Sequence, residues 1–162
     1  MPTIKVNGVE LFYRESGSGP ETIVFSHGLL MDHTMFDSQC AAFEGRYRVV
    51  VYDHRGQGNS SVPGSGYDMD TVAEDAAALI RSLSAAPCNF AGLSMGGAES
   101  LFTGLNHQDK FAWVGAFSSG GIDNRDFATE FPGVDANTNK KLKLLWIACG
   151  TEDRLIDVNR QF

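Results

Sequence analysis

The chain is poor in cysteine, in clustered positive charge and in uninterrupted apolar stretches, and each shortage argues against a class of protein. Its three cysteines, Cys40, Cys88 and Cys149, form no CxxC or other metal-ligand spacing. An odd count of this kind fits buried thiols in a reducing compartment better than a disulfide scaffold. No stretch approaches the roughly 18 apolar residues that span a bilayer. The first residues, Met1-Pro-Thr-Ile-Lys-Val-Asn-Gly, lack the apolar run of a secretory leader, so a cytoplasmic protein is expected. Only 13 Lys and Arg stand against 20 Asp and Glu, a net charge of −7. Nucleic acid and anionic membrane surfaces both require clustered cations, so neither is expected as a partner. The one basic cluster, Lys140, Lys141 and Lys143, reads as a solvated turn. Nucleotide, flavin and metal motifs are absent: Gly56-Gln-Gly58 is not followed by the third glycine and helix of a dinucleotide site. No cofactor and no metal is expected. Histidine is scarce as well, with only His27, His33, His54 and His107.

What the chain does contain is a regular alternation of strand and helix signals over a length that suits one domain, residues 1–162. Thr3–Val6 and Glu10–Tyr13 alternate in polarity across Asn7-Gly8, a strong hairpin signal. Thr22–Phe25 is a short apolar run, a helix is expected around His33–Phe43, and Tyr47–Tyr52 reads as a buried strand. Thr71-Val-Ala-Glu74 has the capping-box pattern that opens a helix, and Val72, Ala76, Leu79, Ile80 and Leu83 share one face of it. Strand Cys88–Gly92, a helix from about Gly97 to Asn106, strand Ala112–Phe117, a polar stretch over 119–141, strand Leu142–Cys149 and a helical start at Leu155–Phe162 follow. The alternation predicts an α/β fold with a mostly parallel sheet covered by helices on both faces. Such sheets carry their sites at the carboxyl ends of the strands. The loops at 26–33, 53–61, 92–97, 118–124 and 150–155 all lie there.

One of those loops carries a chemical signature. Gly92-Leu93-Ser94-Met95-Gly96 is a G-x-S-x-G sequence placed between an expected strand and an expected helix. A sharp strand-to-helix turn there lifts the Ser94 hydroxyl above the sheet, and the small residues on either side let the two arms approach. The Met95 amide then sits at a helix N-terminus and faces any oxyanion that develops. The loop after the third strand, His27-Gly28-Leu29, should supply the second donor through the Leu29 amide. Paired donors of this kind matter, since losing one costs about 10²–10³ in turnover. His27 itself reads as a brace for that loop, with catalytic base as the lesser alternative. Asp53-His54-Arg55-Gly56 reads as a loop brace in which Asp53 and Arg55 bond locally; a substrate role for His54 is the lesser reading. Gly28, Met31 and Phe117, with His27, are candidates for the substrate pocket, and Met35 and Phe36 suit either a pocket or the core.

These motifs resemble the α/β-hydrolase superfamily. Ser26-His-Gly, Tyr52-Asp-His-Arg-Gly-Gln-Gly-Asn-Ser and Gly92-Leu-Ser-Met-Gly-Gly, within residues 1–97, look like the esterase, lactonase and cofactor-free haloperoxidase branch. Gly92-Leu-Ser-Met-Gly-Gly-Ala-Glu-Ser, Lys110-Phe-Ala-Trp-Val-Gly-Ala-Phe-Ser-Ser-Gly and Leu144-Leu-Trp-Ile-Ala-Cys-Gly-Thr-Glu-Asp, within 92–155, look like the esterase-D, feruloyl-esterase and enterochelin-esterase branch. The change of likeness at the elbow suggests a chimera of the two. The resemblance implies a serine, acid, histidine triad in that chain order, with Ser94 as nucleophile and Asp153 as acid; Glu152 and Asp123 are alternatives. It implies ester hydrolysis without a cofactor, and the short 119–141 stretch favours small acyl or aryl esters.

The resemblance also implies a histidine beyond one more helix and strand, and the sequence has none there. His107, the one histidine after Ser94, belongs to the polar end of the elbow helix, more than a helix length away. The expectation is a fold lacking its last helix, strand and histidine loop, with ester hydrolysis severely weakened in this polypeptide alone. A ligand-binding module without catalysis and a recombinant chain of purely structural interest are the alternatives. Without a last strand, Leu144, Leu145, Trp146 and Ile147 become an apolar edge expected to pair with another subunit as a homo-oligomer.

Overall fold

A computed structural model of the chain describes residues 2–120 and 127–161. Seven strands form one sheet: β1 (Thr3–Val6), β2 (Val9–Ser16), β3 (Thr22–Ser26), β4 (Arg48–Tyr52), β5 (Cys88–Leu93), β6 (Phe111–Phe117) and β7 (Leu144–Ala148), in the order β1-β2-β4-β3-β5-β6-β7. Five of them, β4 to β7 with β3, run parallel, while β1 and β2 are antiparallel additions. The predicted hairpin forms at Asn7-Gly8, where both residues take the positive φ that a tight right-twisting turn requires. β2 then runs three residues beyond its expected end at Tyr13, because Tyr13 to Ser16 pair with Tyr52 to Val49 of β4.

Alternate residues of each central strand feed two cores. Val24, Val50, Tyr52, Phe90, Val114 and Ala116 face the side packed by α2 (Met69–Ser82) and α3 (Met95–Asn106). Ile23, Phe25, Val49 and Val51 face the other side, under α1 (Asp37–Phe43). The sheet is therefore covered on both faces near its centre, as the alternation predicts. Coverage on the α1 side stops short of β6 and β7: Trp113, Phe117, Leu144 and Trp146 are all at least 39% exposed.

Several boundaries differ from expectation for local reasons. The single helix expected over His33–Phe43 is a 3-10 turn, His33–Phe36, capped by Asp32, followed by α1. The second helix opens at Asp68 rather than Thr71, because the Asp68 carboxylate accepts the Thr71 amide at 2.9 Å. Thr71 donates to the same cap through its hydroxyl. The polar 119–141 stretch holds two one-turn helices, α4 (Phe127–Glu130) and α5 (Thr138–Lys141). After β7, α6 (Ile156–Gln161) begins, and its Val158 packs on the α2–α3 side. Asp123, an alternative acid, lies outside the described residues. No helix among the described residues is long and apolar enough to cross a membrane.

Candidate active site

The turn from β5 into α3 takes one residue. β5 ends at Leu93, α3 begins at Met95, and Ser94 between them holds φ 59 and ψ −116. A side chain at positive φ with this ψ lies outside even the left-handed helical well, and such conformations cost of order 1–3 kcal/mol. The surroundings over-determine it. The Ser94 amide donates to the Phe117 carbonyl at 2.9 Å, and the Ser94 carbonyl accepts from Ala98 at 3.1 Å and Gly120 at 3.3 Å. Two glycines permit the approach of strand, helix and neighbouring loop. A Cβ on Gly92 would land on the Gly96 carbonyl, and one on Gly96 would land on the Ser26 carbonyl. A Cβ on Gly28 would sit 3.5 Å from the Ser94 Cβ and 3.1 Å from the Met31 sulfur. The Ser94 side chain therefore stands directly against the Gly28-Leu29 loop.

Met95 opens α3, and Leu29 follows Gly28 on the facing loop. Among the described backbone bonds neither amide has an acceptor, while the next loop amide, Leu30, is used at 2.7 Å by Gln57 Oε1. Leu30 takes φ 61. Backbone amides left without an acceptor near a helix N-terminus can bind an anion.

His27 is fully buried beneath the loop rather than on a pocket wall. Its Nδ1 donates to the Gly28 carbonyl at 2.8 Å and its Nε2 accepts the His54 amide at 3.0 Å, a neutral tautomer with both nitrogens used. Burial lowers its pKa to about 4, and the neighbouring His54 adds to the effect. Asp53 accepts the His33 amide at 2.7 Å, the His33 ring at 2.9 Å and the Asn59 amide at 2.8 Å, so it braces two loops at once. Arg55 does not bond Asp53. It reaches α2 instead, where the buried Asp75 takes its Nε at 2.6 Å and its Nη2 at 2.8 Å.

A buried polar cluster under the elbow has no counterpart in the sequence reading. Glu99 of α3 is fully buried and accepts the Tyr52 hydroxyl at 2.8 Å and the Ser26 hydroxyl, and lies 2.9 Å from His54 Nε2. Ser26 Oγ is itself 2.8 Å from that nitrogen, and the His27 and His54 rings stack at 4.0 Å. Burial, then the Glu99 charge, pushes the Tyr52 hydroxyl well above its ordinary pKa. The signal available beforehand was a lone acid in a helix otherwise of small and apolar residues from Gly96 to Leu105, all of which are buried. The cluster ties β3, β4 and α3 together immediately behind Ser94.

Asp153 stands at the end of β7, beyond the turn at Gly150. Its carboxylate accepts the Leu155 amide at 2.8 Å, which with a hydrogen bond from the Ser118 hydroxyl holds its pKa below the usual carboxylate range. Ser118, at φ 46, follows β6, and its amide bonds the Ala148 carbonyl at 2.8 Å. Asn159 of α6 clasps the Ser119 backbone at 3.2 and 3.0 Å. One chain of bonds thus joins the elbow, the 117–120 loop and the Asp153 turn.

No histidine completes the set. His33 is held by Asp53, His54 by Ser26 and Glu99, His27 by backbone, and His107 lies 3.3 Å from Glu74 beyond the far end of α3. An apolar groove of about 480 Å³ opens beside the elbow on the α1 side, lined by Phe25, Met35, Phe36, Leu93 and Phe117 among others. Met31 is not part of it and is half-exposed beside Gly28. Among the described residues no group of three His, Cys, Asp or Glu is placed to hold a metal.

A parallel sheet with helices on both faces, carrying a strained serine at a strand-to-helix elbow, defines a class, and comparison with known proteins agrees with it. The chain belongs to the alpha/beta hydrolase fold family, whose profile matches residues 21–133. It is 41% identical over 101 residues to a non-heme haloperoxidase of Rhodococcus erythropolis, covering 61% of this chain and 36% of that protein. It is 38% identical over 97 residues to 3-oxoadipate enol-lactonase 1 of Acinetobacter baylyi, covering 58% and 36%. The crystal structure of the enol-lactonase from Burkholderia xenovorans superposes with a TM-score of 0.70 at 36% identity, over 73% of this chain and 46% of that one. The chain spans about a third of the length of the curated relatives it matches.

Proposed function

We propose that this chain carries the nucleophilic half of a serine ester hydrolase acting on small acyl or aryl esters, open or cyclic. The observation that carries the reading is Ser94: a serine held at φ 59 on the elbow, against a loop that offers a free amide. The Ser94 hydroxyl oxygen attacks the ester carbonyl carbon, and the carbonyl electron pair moves onto the oxygen as a tetrahedral anion. The amides of Leu29 and Met95 hold that anion. Its collapse expels the alcohol, which takes up a proton, and leaves the acyl group on Ser94 for water to remove. Asp153, whose bonds hold its pKa below the usual carboxylate range, serves in this reading as the acid member of a triad, and the apolar groove beside Phe117 suits the acyl or aryl group. The enol-lactonase relatives support an ester, cyclic or open, as the bond cleaved.

The step that needs help is removal of the serine proton, since serine is a weak nucleophile at its free pKa. All four imidazoles are engaged elsewhere, so turnover by this polypeptide alone is expected at the residual level of triad-deficient hydrolases, about 10³–10⁴ over water. The same observation favours a second reading, a module that binds an ester or acid in the cleft without turning it over. Hydrolysis of a short p-nitrophenyl ester separates them. The first reading expects a slow release that Ser94→Ala removes; a rate unchanged by Ser94→Ala overturns it.

A further inference from the structure

Gly56-Gln57-Gly58, which is no dinucleotide loop, belongs to a turn bonded to the loop that carries the Leu29 amide. Three bonds cross between the two. The His54 amide donates to His27 Nε2 at 3.0 Å, the Leu30 amide donates to Gln57 Oε1 at 2.7 Å, and the His33 amide donates to the Asp53 carboxylate at 2.7 Å. The short segment 53–57 therefore holds the 27–33 loop at every third residue. That segment is itself tied down. The Gln57 amide donates to the His54 carbonyl at 3.0 Å, and the Ser60 amide donates to the Gln57 carbonyl at 3.1 Å. Gly58, at φ 52, leaves room for the Asp53 carboxylate, on which a Cβ at that position would land. The backbone that carries Gln57 is thus fixed before its side chain reaches the facing loop.

Within the 27–33 loop, the Gln57 bond falls where the backbone is most strained. The Met31 amide closes a turn on the Gly28 carbonyl at 3.2 Å, with Leu29 and Leu30 at its centre. Leu30 takes φ 61 while Leu29 does not take a positive φ, the type II form that favours glycine at the place Leu30 fills. Turning over the Leu29–Leu30 peptide would relieve a leucine held there without breaking the Met31–Gly28 bond. Closure of the turn alone therefore does not hold that peptide. The bond from the Leu30 amide to Gln57 does.

Leu29 lies between two pinned peptide planes. The Gly28 carbonyl takes His27 Nδ1 at 2.8 Å and the Met31 amide, which fixes the plane before Leu29, and Gln57 fixes the plane after it. Of the four amides from Gly28 to Met31, only that of Leu29 has no acceptor among the described bonds, since the Gly28 amide meets the Met35 sulfur at 3.5 Å. We infer that Gln57 is a positioning residue for this loop. It acts through the Leu29–Leu30 peptide and keeps the Leu29 amide preorganised for the anion that forms at Ser94. The inference rests on the hydrolase reading above and adds to it a residue from a different loop. What the role requires is an acceptor at glutamine's reach, which Gln57→Glu keeps and Gln57→Met, of similar length, removes.

Amide NMR before and after fluorophosphonate labelling tests it. In the unmodified chain the Leu30 amide is expected to exchange with solvent more slowly than the Leu29 amide, and the Leu29 resonance to move downfield once the phosphonyl oxygen is in place. Gln57→Met is expected to abolish the protection of Leu30 and the downfield shift of Leu29 while the Met95 shift persists. It is also expected to slow adduct formation about tenfold, short of the roughly 10²–10³ lost with a whole donor. Gln57→Glu is expected to restore the Leu30 protection and the Leu29 shift. A Gln57→Met chain that keeps both the labelling rate and the Leu29 shift overturns the inference and leaves the hydrolase reading standing. A Leu30 amide that exchanges as fast as that of Leu29 in the unmodified chain overturns it without any variant. An unlabelled Ser94 in the unmodified chain overturns the hydrolase reading, and this inference with it.

Discussion

At Ser94 the backbone conformation costs free energy that the fold supplies elsewhere, and this makes the residue testable apart from any substrate. Ser94→Gly relieves roughly 1–3 kcal/mol of strain and gives back about 1 kcal/mol as unfolded-chain entropy. A net gain of about 1 kcal/mol is expected, read as a melting temperature higher by about 3 °C, together with complete loss of ester reactivity. His27 gives a prediction of a different kind. Its native pKa is lowered to about 4 from an ordinary 6.5, so the unfolded chain binds the proton more readily. The contribution to stability is full above pH 6.5, declines as pH falls through the interval from 6.5 to about 4, and levels off below it. The amount at stake is roughly 3 kcal/mol. Urea unfolding across that interval measures it, and His27→Gln is expected to flatten that part of the curve.

Among elements, the strand-to-helix junction and the helix caps decide where the site stands. Gly96→Ala drives a methyl group into the Ser26 carbonyl, where β3 passes closest to α3. A loss of about 3 kcal/mol is expected in thermal unfolding, with the elbow displaced. Asp68→Ala removes the cap of α2 and is expected to cost only about 1 kcal/mol. The elbow was fully legible in the sequence, because G-x-S-x-G between two opposite periodicities leaves few other ways to fold. The cap of α2 was misplaced by three residues because Thr71 and Asp68 both carry capping groups, and the structure gives the cap to the carboxylate, with Thr71 as its donor. The Glu99 cluster and the Arg55–Asp75 pair were not legible at all. They join residues 20 to 73 positions apart, and no local pattern encodes a partner at that range. In Asp53-His54-Arg55 the loop-bracing character was visible, but the partners were not.

On the scale of the whole molecule, the sheet order and its two cores follow from the alternation of strand and helix signals, and the family match over residues 21–133 agrees with them. What composition could not reveal is the asymmetry of coverage. The α2–α3 side is closed by Leu79, Leu101 and Phe102, whereas the α1 side leaves Trp113, Phe117 and Trp146 to solvent. That bare face lies on the β6–β7 side of the sheet, while Ser94 is anchored near its centre. In the proposed reading, Ser94, the Leu29 and Met95 amides and Asp153 come from separate parts of the fold, and the contribution that reading lacks is a base. Supplying one from outside makes a further prediction: millimolar imidazole is expected to raise p-nitrophenyl ester cleavage above the imidazole blank in the unmodified chain and not in Ser94→Ala.

The nucleophilic role of Ser94 is tested most directly by prolonged incubation with a fluorophosphonate, followed by mass spectrometry of the peptides. A single phosphonyl adduct on Ser94, slow to form and absent from Ser94→Ala, is the result expected. An unmodified Ser94 after prolonged exposure, or an adduct placed on any other residue at the same rate, would contradict it.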